Sequence, residues 1–382
     1  MKQTENLKFN KDGTFKILCF GDLHEKLVIE DIKSQRKFND MSLFMKTAVK
    51  ALNPDFAVLL GDTLCIRDET EGFTLYKAAI KNILQPILDA NIPFGYVMGN
   101  HEHDTAQEEL IKEAYDQFQT CYVYNDDPNI TGDLNCYVPI RSSDDTKDAF
   151  IMWFIDSNGS HHDQSFSRYD WVKKDQIEWY EKKAAEIKQK NNGTVPAVLF
   201  QHIPISEEYE LLREAKLWER PIAVKGHFKW GDKYYVSKGI MDGYLGEGPC
   251  APYQNAGQFD SWKKTGDIKG AFFGHDHVND FTGNLDGILL GQNKTSGFRA
   301  YTDGCRSAVR LITLYEKTGE ISTKVYHFKE FGLKCTSLGP IMKRITDRQS
   351  INMHWASYIL GASAAAIGSG VLLHKLIKKR RQ

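Results

Sequence analysis

Residues 15–24 of the chain read FKILCFGDLH. A short apolar run ends at Gly21, and two residues that can bind metals, Asp22 and His24, follow at once. The same arrangement, in which polar residues follow an apolar run, recurs four more times: Gly61-Asp62, Gly99-Asn100-His101-Glu102, Gln201-His202 and Gly274-His275-Asp276-His277. Because the carboxyl ends of strands in an α/β sheet are where loops converge, these side chains are expected to lie close together.

The stretches between these apolar runs have the periodicity of helices. Apolar residues recur at helical spacing in four of them: Asp40–Leu52, Phe73–Ala90, Thr105–Phe118 and Trp171–Lys190. From Gly287 onward the pattern is that of strands, at residues 288–292, 308–316 and 322–328, with a hairpin turn at Lys317–Glu320. The alternation predicts a layered α/β fold.

The composition is that of a folded protein without a strongly charged partner. Hydrophobic residues make up 41% of the chain and charged residues 26%, and the formal net charge is -1. This balance argues against disorder and against a nucleic acid partner. The seven cysteines include no CxxC pair, which fits neither a disulfide framework nor a thiolate zinc site. The first fourteen residues are polar and show no secretory signal, so free thiols in a reducing cytoplasm are expected.

The polar residues of the five motifs are those that bind borderline divalent metals. Carboxylate and amide oxygens together with imidazole nitrogens suit Mn, Fe, Zn or Co, and one carboxylate can bridge two ions. Any one of these motifs alone is usually a turn or a satisfied strand end, but five in order predict a site for two divalent metal ions. The candidate ligands are Asp22, His24, Asp62, Asn100, His202, His275 and His277.

The order GDLH, GD, GNHE, H and GHDH resembles that of the calcineurin-like metallophosphoesterase superfamily over residues 15–330. The stretches QHIP, at Gln201–Pro204, and GHDHVNDFTG, which begins at Gly274, resemble the branch of plant purple-acid-phosphatase-29-like and yeast Dcr-type phosphatases. The resemblance implies two β-sheets that face each other, with helices outside and metals at one edge. It assigns Asp22, His24 and His277 to one ion and Asn100, His202 and His275 to the other. Asp62 would bridge both ions. His101 would be the general acid, a role that suits a group titrating near neutrality.

These residues predict a metal-dependent phosphoesterase. The expected reaction is hydrolysis of a phosphomonoester or phosphodiester by in-line attack of a hydroxide that bridges the two ions, on a phosphorylated substrate whose class stays open. Two alternatives remain: a catalytically weak or inactive metal-binding scaffold that acts through protein partners, and a nuclease. The complete ligand set argues against the first, and the lack of a basic cluster outside the tail argues against the second.

Several further residues carry expectations of their own. Cys65 stands where purple acid phosphatases place a tyrosine ligand, so a tyrosinate–iron bond is not available, and the thiol is expected to be packed. Asp156 is expected to cap a turn or to line the site, and His161-His162 to lie on the surface. Lys229–Tyr253 is a candidate cap for the cleft. Three arginines are interpreted as salt-bridge partners rather than phosphate ligands: Arg299, Arg306 and Arg310.

The C-terminal part of the chain differs from the rest. No Asp, Glu, Lys or Arg occurs from Trp355 to Leu373, a stretch that as a helix would rise about 28 Å, close to the thickness of a bilayer core. This predicts a tail anchor with the catalytic domain facing the cytoplasm, and small residues at a spacing of four favour a homodimer through the helix. A soluble cytoplasmic protein is the alternative. The predicted parts are a polar N-terminal segment (1–14), a metallophosphoesterase domain (15–333), a linker (334–354), a transmembrane helix (355–374) and a basic tail (375–382).

Overall fold

The computed structural model describes residues 7–65, 73–104, 108–344, 359–363 and 365–370. Within these ranges the strands are β1 (Thr14–Phe20), β2 (Phe56–Leu59), β3 (Phe94–Tyr96), β4 (Cys136–Arg141), β5 (Asp148–Phe154), β6 (Ala197–Gln201), β7 (Leu212–Glu214), β8 (Val224–Lys225), β9 (Tyr234–Ser237), β10 (Ile240–Asp242), β11 (Ile268–Phe273), β12 (Thr282–Leu285), β13 (Ile288–Gln292), β14 (Ala308–Tyr315) and β15 (Ile321–His327). The α-helices are α1 (Ile32–Leu52), α2 (Phe73–Leu88), α3 (Asn100–His103), α4 (Glu108–Asp116), α5 (Lys174–Lys190), α6 (Gln258–Thr265) and α7 (Pro340–Arg344).

Most of the strands belong to two large sheets. The first has the order β15-β14-β1-β2-β3, in which β1, β2 and β3 are parallel and β14 pairs antiparallel with both of its neighbours. The second has the order β10-β12-β13-β11-β6-β5-β4, with the four parallel strands β13, β11, β6 and β5 at its centre. A small third sheet, β7-β9-β8, lies in the region between β6 and α6.

The two large sheets pack face to face. The rings of Phe56 in β2 and Phe154 in β5 lie 6.4 Å apart between the sheets. Alternation along β5 sends Met152 and Phe154 into this core, whereas Ile151 and Trp153 join a second core on the opposite face. Residues of α5 and α6 complete that second core, and α1 and α2 pack their apolar faces against the first. The predicted sandwich of two β-sheets flanked by helices is therefore confirmed.

Differences from the predicted elements arise where local signals are weak. Helix α1 begins at Ile32 rather than Asp40, because the Asp31 side chain accepts a hydrogen bond of 2.9 Å from the Ser34 amide and caps it. Its first turns are largely polar, so periodicity did not reveal them. The third sheet was not predicted, since its strands are only two to four residues long and too short for a period to show.

The parallel strands bring the five polar motifs to one edge of the sandwich. Asp22, Asp62 and Asn100 follow the carboxyl ends of β1, β2 and β3 in the first sheet. His202 and His275 follow the ends of β6 and β11, which are neighbours in the second sheet. Because the sheets face each other, the two sets of residues meet across the gap between them.

The predicted transmembrane helix over residues 355–374 lies partly outside the described residues. In the part that is described, residues 359–363 and 365–370 are helical and their side chains are exposed. Among the described residues, no helix combines the length and the apolar character needed to cross a bilayer. The structure thus gives the transmembrane helix and the tail anchor no support, and the homodimer through that helix stays a prediction.

A buried cluster of ion pairs holds part of the chain that follows the last polar motif, Gly274–His277. The Lys294 ammonium lies 2.8 Å from an Asp280 oxygen and 2.7 Å from an Asp303 oxygen, and all three side chains are almost fully buried. His327 at the end of β15 adds a contact of 3.1 Å to Asp280. The cluster holds the segment that begins after β13 and ends before β14, which runs past the site.

Replacing Lys294 by Met should lower the free energy of unfolding by about 3–5 kcal/mol, because it leaves two buried carboxylates without their cation. The matched control is Lys263→Met, whose ion pairs with Asp260 and Asp286 are exposed and should contribute less than about 1 kcal/mol. Denaturant unfolding of both variants measures the difference. Equal losses would show that the buried cluster is not what holds this segment.

Candidate metal centre

The strand ends turn through an uncommon backbone conformation that aims the polar side chains inward. Asp22, His24, Asp62 and His275 have φ values of 47°, 50°, 48° and 72°, in the left-handed region that residues with a Cβ seldom adopt. A Cβ added at Gly99 would lie 2.2 Å from an Asp62 carboxylate oxygen, so only glycine fits there. Such strained positions cluster at functional sites and persist only where the surrounding structure holds them.

Four of the candidate ligands form a first buried group, Asp22, His24, Asp62 and His277. Each offers an atom within 4.8 Å of the others, a spacing that could hold a metal ion. The Nε2 atoms of His24 and His277 lie 3.0 Å apart. His24 Nε2 is 3.5 Å from Asp62 Oδ2, and His277 Nε2 is 3.6 Å from Asp22 Oδ1.

A second group, Asp62, His202 and His275, meets the same criterion and shares Asp62 with the first. His202 Nε2 lies 3.3 Å from Asp62 Oδ2 and 3.3 Å from His275 Nδ1. Asn100 joins this group through its Oδ1 atom, which is 3.2 Å from His202 Nε2. The fold therefore brings all seven candidate ligands together, and one oxygen of Asp62 faces both groups.

Hydrogen bonds behind two of the imidazoles fix which ring nitrogen faces into the cluster. His202 Nδ1 donates to the Leu60 carbonyl at 2.7 Å, and His277 Nδ1 donates to the Tyr301 carbonyl at 3.1 Å. The Nε2 atom of the neutral His277 ring then points a lone pair towards His24 Nε2 and Asp22 Oδ1, where a cation would accept it, whereas the Nε2 atom of the protonated His202 ring faces Asp62 Oδ2. The donor set consists of oxygen and imidazole nitrogen, which fits a divalent metal.

The pKa values of the candidate ligands indicate which of them are already in the protonation state that binds a metal. Burial lowers the pKa of His277 to about 3 and lowers that of His275 well below its ordinary value, so both rings are neutral. Burial raises the pKa of Asp22 well above its ordinary value, whereas His202 outweighs the burial of Asp62 and holds its pKa well below. Asp62 in return raises the pKa of His202 to about 10 against the effect of burial. His202 must therefore release a proton when a metal binds.

Glu102 holds the turn that carries the shared Asp62, a role that the sequence did not suggest. One of its carboxylate oxygens accepts the backbone amides of Asp62 and Gly99, each at 2.8 Å. The other accepts the amides of Thr63 at 2.7 Å and Leu64 at 3.2 Å. The sequence does hold a signal for this role. In the motif Gly99-Asn100-His101-Glu102, an acidic residue directly follows two residues assigned to the site.

His101 lies at the rim of the cluster. Its backbone amide donates to Asp62 Oδ1 at 2.9 Å, and its Nε2 atom is 4.0 Å from Asp62 Oδ2. Its ring meets that of His24 edge-on at 4.9 Å, and its side chain remains 28% exposed. The position beside both the ligands and the solvent is the one that a proton donor to a leaving group requires.

The cluster opens into a cleft of about 360 Å³. Two tyrosines flank it: the Tyr301 ring stacks on His277 at 4.1 Å, and the Tyr169 ring meets His275 at 4.5 Å. Cys250, from the region predicted to cap the cleft, also lines it. Cys65 lines it too and is not the packed thiol that was expected, because Leu64 points into the core and the next side chain along an extended segment points out.

The remaining predicted residues serve the scaffold around the site. Asp156 accepts hydrogen bonds from His103 Nε2 at 2.8 Å and from the Asp133 amide at 2.7 Å, and so ties α3 to the second sheet. His161 is buried against Trp171 rather than on the surface, since the loop folds its ring inward. The expected ion pairs form from Arg299 to Glu25 and from Arg306 to Asp303, whereas Arg310 donates to the carbonyls of Asp280 and Gln292.

Comparison with known proteins defines the family. The model of the calcineurin-like phosphoesterase family matches residues 15–279, which is more than half of the chain. The chain therefore belongs to this family, and the superfamily resemblance is confirmed.

Individual relatives place the chain more closely. It is 26% identical to "Probable inactive purple acid phosphatase 29" of Arabidopsis thaliana, over 78% of this chain and 76% of the relative. It is 27% identical to "Probable inactive purple acid phosphatase 14" of the same plant, over 83% and 80%. Both names agree with the predicted branch. A solved structure of GAP50, the anchor in the inner membrane complex of Plasmodium, matches at a TM-score of 0.44 and 11% identity, over 88% of this chain and 96% of that one, too distant to support an argument.

Glu102→Gln should weaken Mn²⁺ binding by about 10–100-fold, because its side chain has one acceptor oxygen for the three amides of the turn around Asp62 and the amide of Gly99. The free energy of unfolding should also fall, by about 2–3 kcal/mol. Calorimetric titration and denaturant unfolding measure the two effects. Glu109→Gln, at an exposed position, is the control and should change neither. Unchanged Mn²⁺ affinity in Glu102→Gln would mean that the turn holds its shape without the carboxylate.

Proposed function

We propose that this chain is a phosphoesterase that uses two divalent metal ions to hydrolyse a phosphate ester. The observation that carries the proposal is the position of Asp62 Oδ2, which lies 3.5 Å from His24 Nε2 and 3.3 Å from His202 Nε2. Two groups of ligands that share one carboxylate oxygen are what a pair of neighbouring ions needs. Mn, Fe, Zn or Co suits the donors.

We assign the seven candidate ligands to the two ions as the resemblance implies. The first ion would be held by Asp22, His24 and His277, the second by Asn100, His202 and His275, and both by Asp62. When bound, such a pair activates water as the nucleophile and neutralises charge on the phosphoryl group. The protein contributes orientation, because the buried ligands are fixed from behind by backbone carbonyls and amides.

His101 is the proposed proton donor to the leaving oxygen. The hydrogen bond from its backbone amide to Asp62 Oδ1 fixes its backbone, and its Nδ1 atom lies 3.9 Å from the Asp104 carboxylate. The ring thus stands at the mouth of the cluster, where an ester oxygen would depart. A proton supplied there prevents a high-energy alkoxide from forming.

The cleft favours a substrate with one phosphate and an apolar or aromatic group. Among the described residues that line it, Arg299 is the single Lys or Arg, and its guanidinium is already engaged by Glu25. Among the described lining residues, a second phosphate would therefore find no free cation. Tyr169 and Tyr301 instead offer apolar ring surface. The absence of a cationic track argues against the nuclease alternative.

A second candidate function is a metal-binding scaffold without turnover. The observation that favours it is the word "inactive" in the names of both plant relatives. The complete ligand set and the placement of His101 favour catalysis. Metal analysis combined with an assay separates the two, because a scaffold binds metal but hydrolyses no ester in a broad panel.

Purified protein should hydrolyse para-nitrophenyl phosphate, lose this activity on chelation and regain it with Mn²⁺, Co²⁺ or Zn²⁺. Asp62→Asn should lower the rate by at least about a hundredfold, since it perturbs both groups of ligands at once. Asp260→Asn, at an exposed position, is the control and should retain full activity. Turnover that survives both chelation and Asp62→Asn would exclude the proposed chemistry.

His101→Ala should keep its metal content and lose activity according to the leaving group. The loss should reach about a hundredfold or more for alkyl phosphates, which need a proton, and should shrink for para-nitrophenyl phosphate, which does not. His162→Ala changes an exposed histidine and serves as the control. A uniform loss across the leaving-group series would remove His101 from the role of general acid.

A further inference from the structure

A short 3-10 helix in the third-sheet region presents three large apolar side chains to solvent. Leu217, Trp218 and Ile222 belong to the helix Leu217–Ile222 and are 76%, 75% and 67% exposed. Single exposed apolar residues are ordinary on protein surfaces, but three on one six-residue element indicate a binding surface. We call these three residues the Leu217 face.

The fold does not need the Leu217 face for its own packing. The small sheet has a separate core made of Tyr209, Leu212, Val224 and Tyr235. The helix is held instead by polar contacts of Glu219, which accepts from the Lys216 amide at 2.8 Å and pairs with the Arg213 guanidinium at 2.6 Å. These contacts fix the helix with its apolar side chains turned outward.

The charges around the Leu217 face are unbalanced towards positive. Two acids of this segment are neutralised by their own partners: Glu219 by Arg213 and Glu214 by Lys233, the latter at 3.1 Å. Three exposed cations remain that form no ion pair with any described residue: Lys216, Arg220 and Lys225. Their surroundings are aromatic, since Lys216 lies 5.3 Å from the Trp218 ring and Arg220 lies 4.8 Å from the Tyr234 ring.

We propose that the Leu217 face docks on a membrane surface that contains anionic lipids. Trp218, Leu217 and Ile222 enter the boundary between headgroups and acyl chains, where an indole ring finds both apolar and polar neighbours. The cations Lys216, Arg220 and Lys225 remain at the level of the lipid phosphates, with their stems against the apolar layer. A protein partner with an acidic rim is the different outcome that the test must detect.

Docking there would bring the cleft close to the lipid surface. Phe228 lies between β8 and β9 of the small sheet, and its ring is 5.6 Å from that of Tyr169. Tyr169 in turn packs on His275 of the metal cluster. Membrane binding by the Leu217 face requires no hydrolysis, so it does not depend on the proposed function.

The test is sedimentation of the full chain with lipid vesicles. Vesicles of phosphatidylcholine with phosphatidylserine should bind more protein than vesicles of phosphatidylcholine alone. Combining Leu217→Ser, Trp218→Ser and Ile222→Ser should weaken binding at least about tenfold. Combining Lys216→Gln, Arg220→Gln and Lys225→Gln should weaken binding roughly fivefold per charge on the anionic vesicles and much less on the neutral ones. The matched controls are Ile32→Ser and Lys174→Gln, which change residues that are equally exposed elsewhere.

Hydrogen exchange of the full chain on the same vesicles gives a second readout, which remains valid if the apolar C-terminal stretch also binds lipid. Amides of residues 217–222 should become protected on anionic vesicles, and the thermal midpoints of the variants should match the parent protein. Unchanged binding by the apolar variant, or exchange at residues 217–222 that vesicles do not slow, overturns the proposal. It is overturned equally if the parent protein self-associates and the apolar variant is a monomer, because the face would then be a contact between copies.

Discussion

The shared carboxylate of Asp62 is the contact on which the site depends. Its Oδ2 atom faces His24, which follows β1 in the first sheet, and His202, which follows β6 in the second. No local structure can create this contact, because the partners lie far apart in the chain and on different sheets. The sheets must pack face to face, with their carboxyl edges aligned, before one oxygen can reach both groups of ligands.

The rest of the edge is organised to keep that carboxylate in place. Asp62 has a left-handed backbone, and Glu102 compensates by accepting hydrogen bonds from three amides of the turn around it and from the amide of Gly99. A carboxylate that receives several amide hydrogen bonds is a strong and specific clamp. The motif Gly99-Asn100-His101-Glu102 therefore combines three tasks in one turn of helix, since it supplies a ligand, positions a histidine and shapes the neighbouring loop.

Burial sets the chemical character of the centre. The same exclusion of water keeps His275 and His277 neutral and raises the pKa of Asp22. The buried candidate ligands are therefore poorly stabilised by one another alone. A divalent cation would resolve this conflict, since it would replace protons as the partner of the ligands. The surrounding scaffold, with the Lys294 cluster on one side and the His103–Asp156 pair on another, carries buried charges of its own that are paired within the protein.

The sequence alone determined the layered α/β class, most of the helices and strands, and the family, because apolar periodicity and strand-end motifs are local signals. It also singled out the seven candidate ligands, since an Asp, Asn or His that follows the end of an apolar strand can be recognised without knowing the neighbours. Only the tertiary structure decided which atoms face each other, how Glu102 supports the turn, that Cys65 points into the cleft and that His161 is buried. The physical reason is that burial, hydrogen-bond partners and pKa shifts arise from segments far apart in the chain, and packing alone brings those segments together.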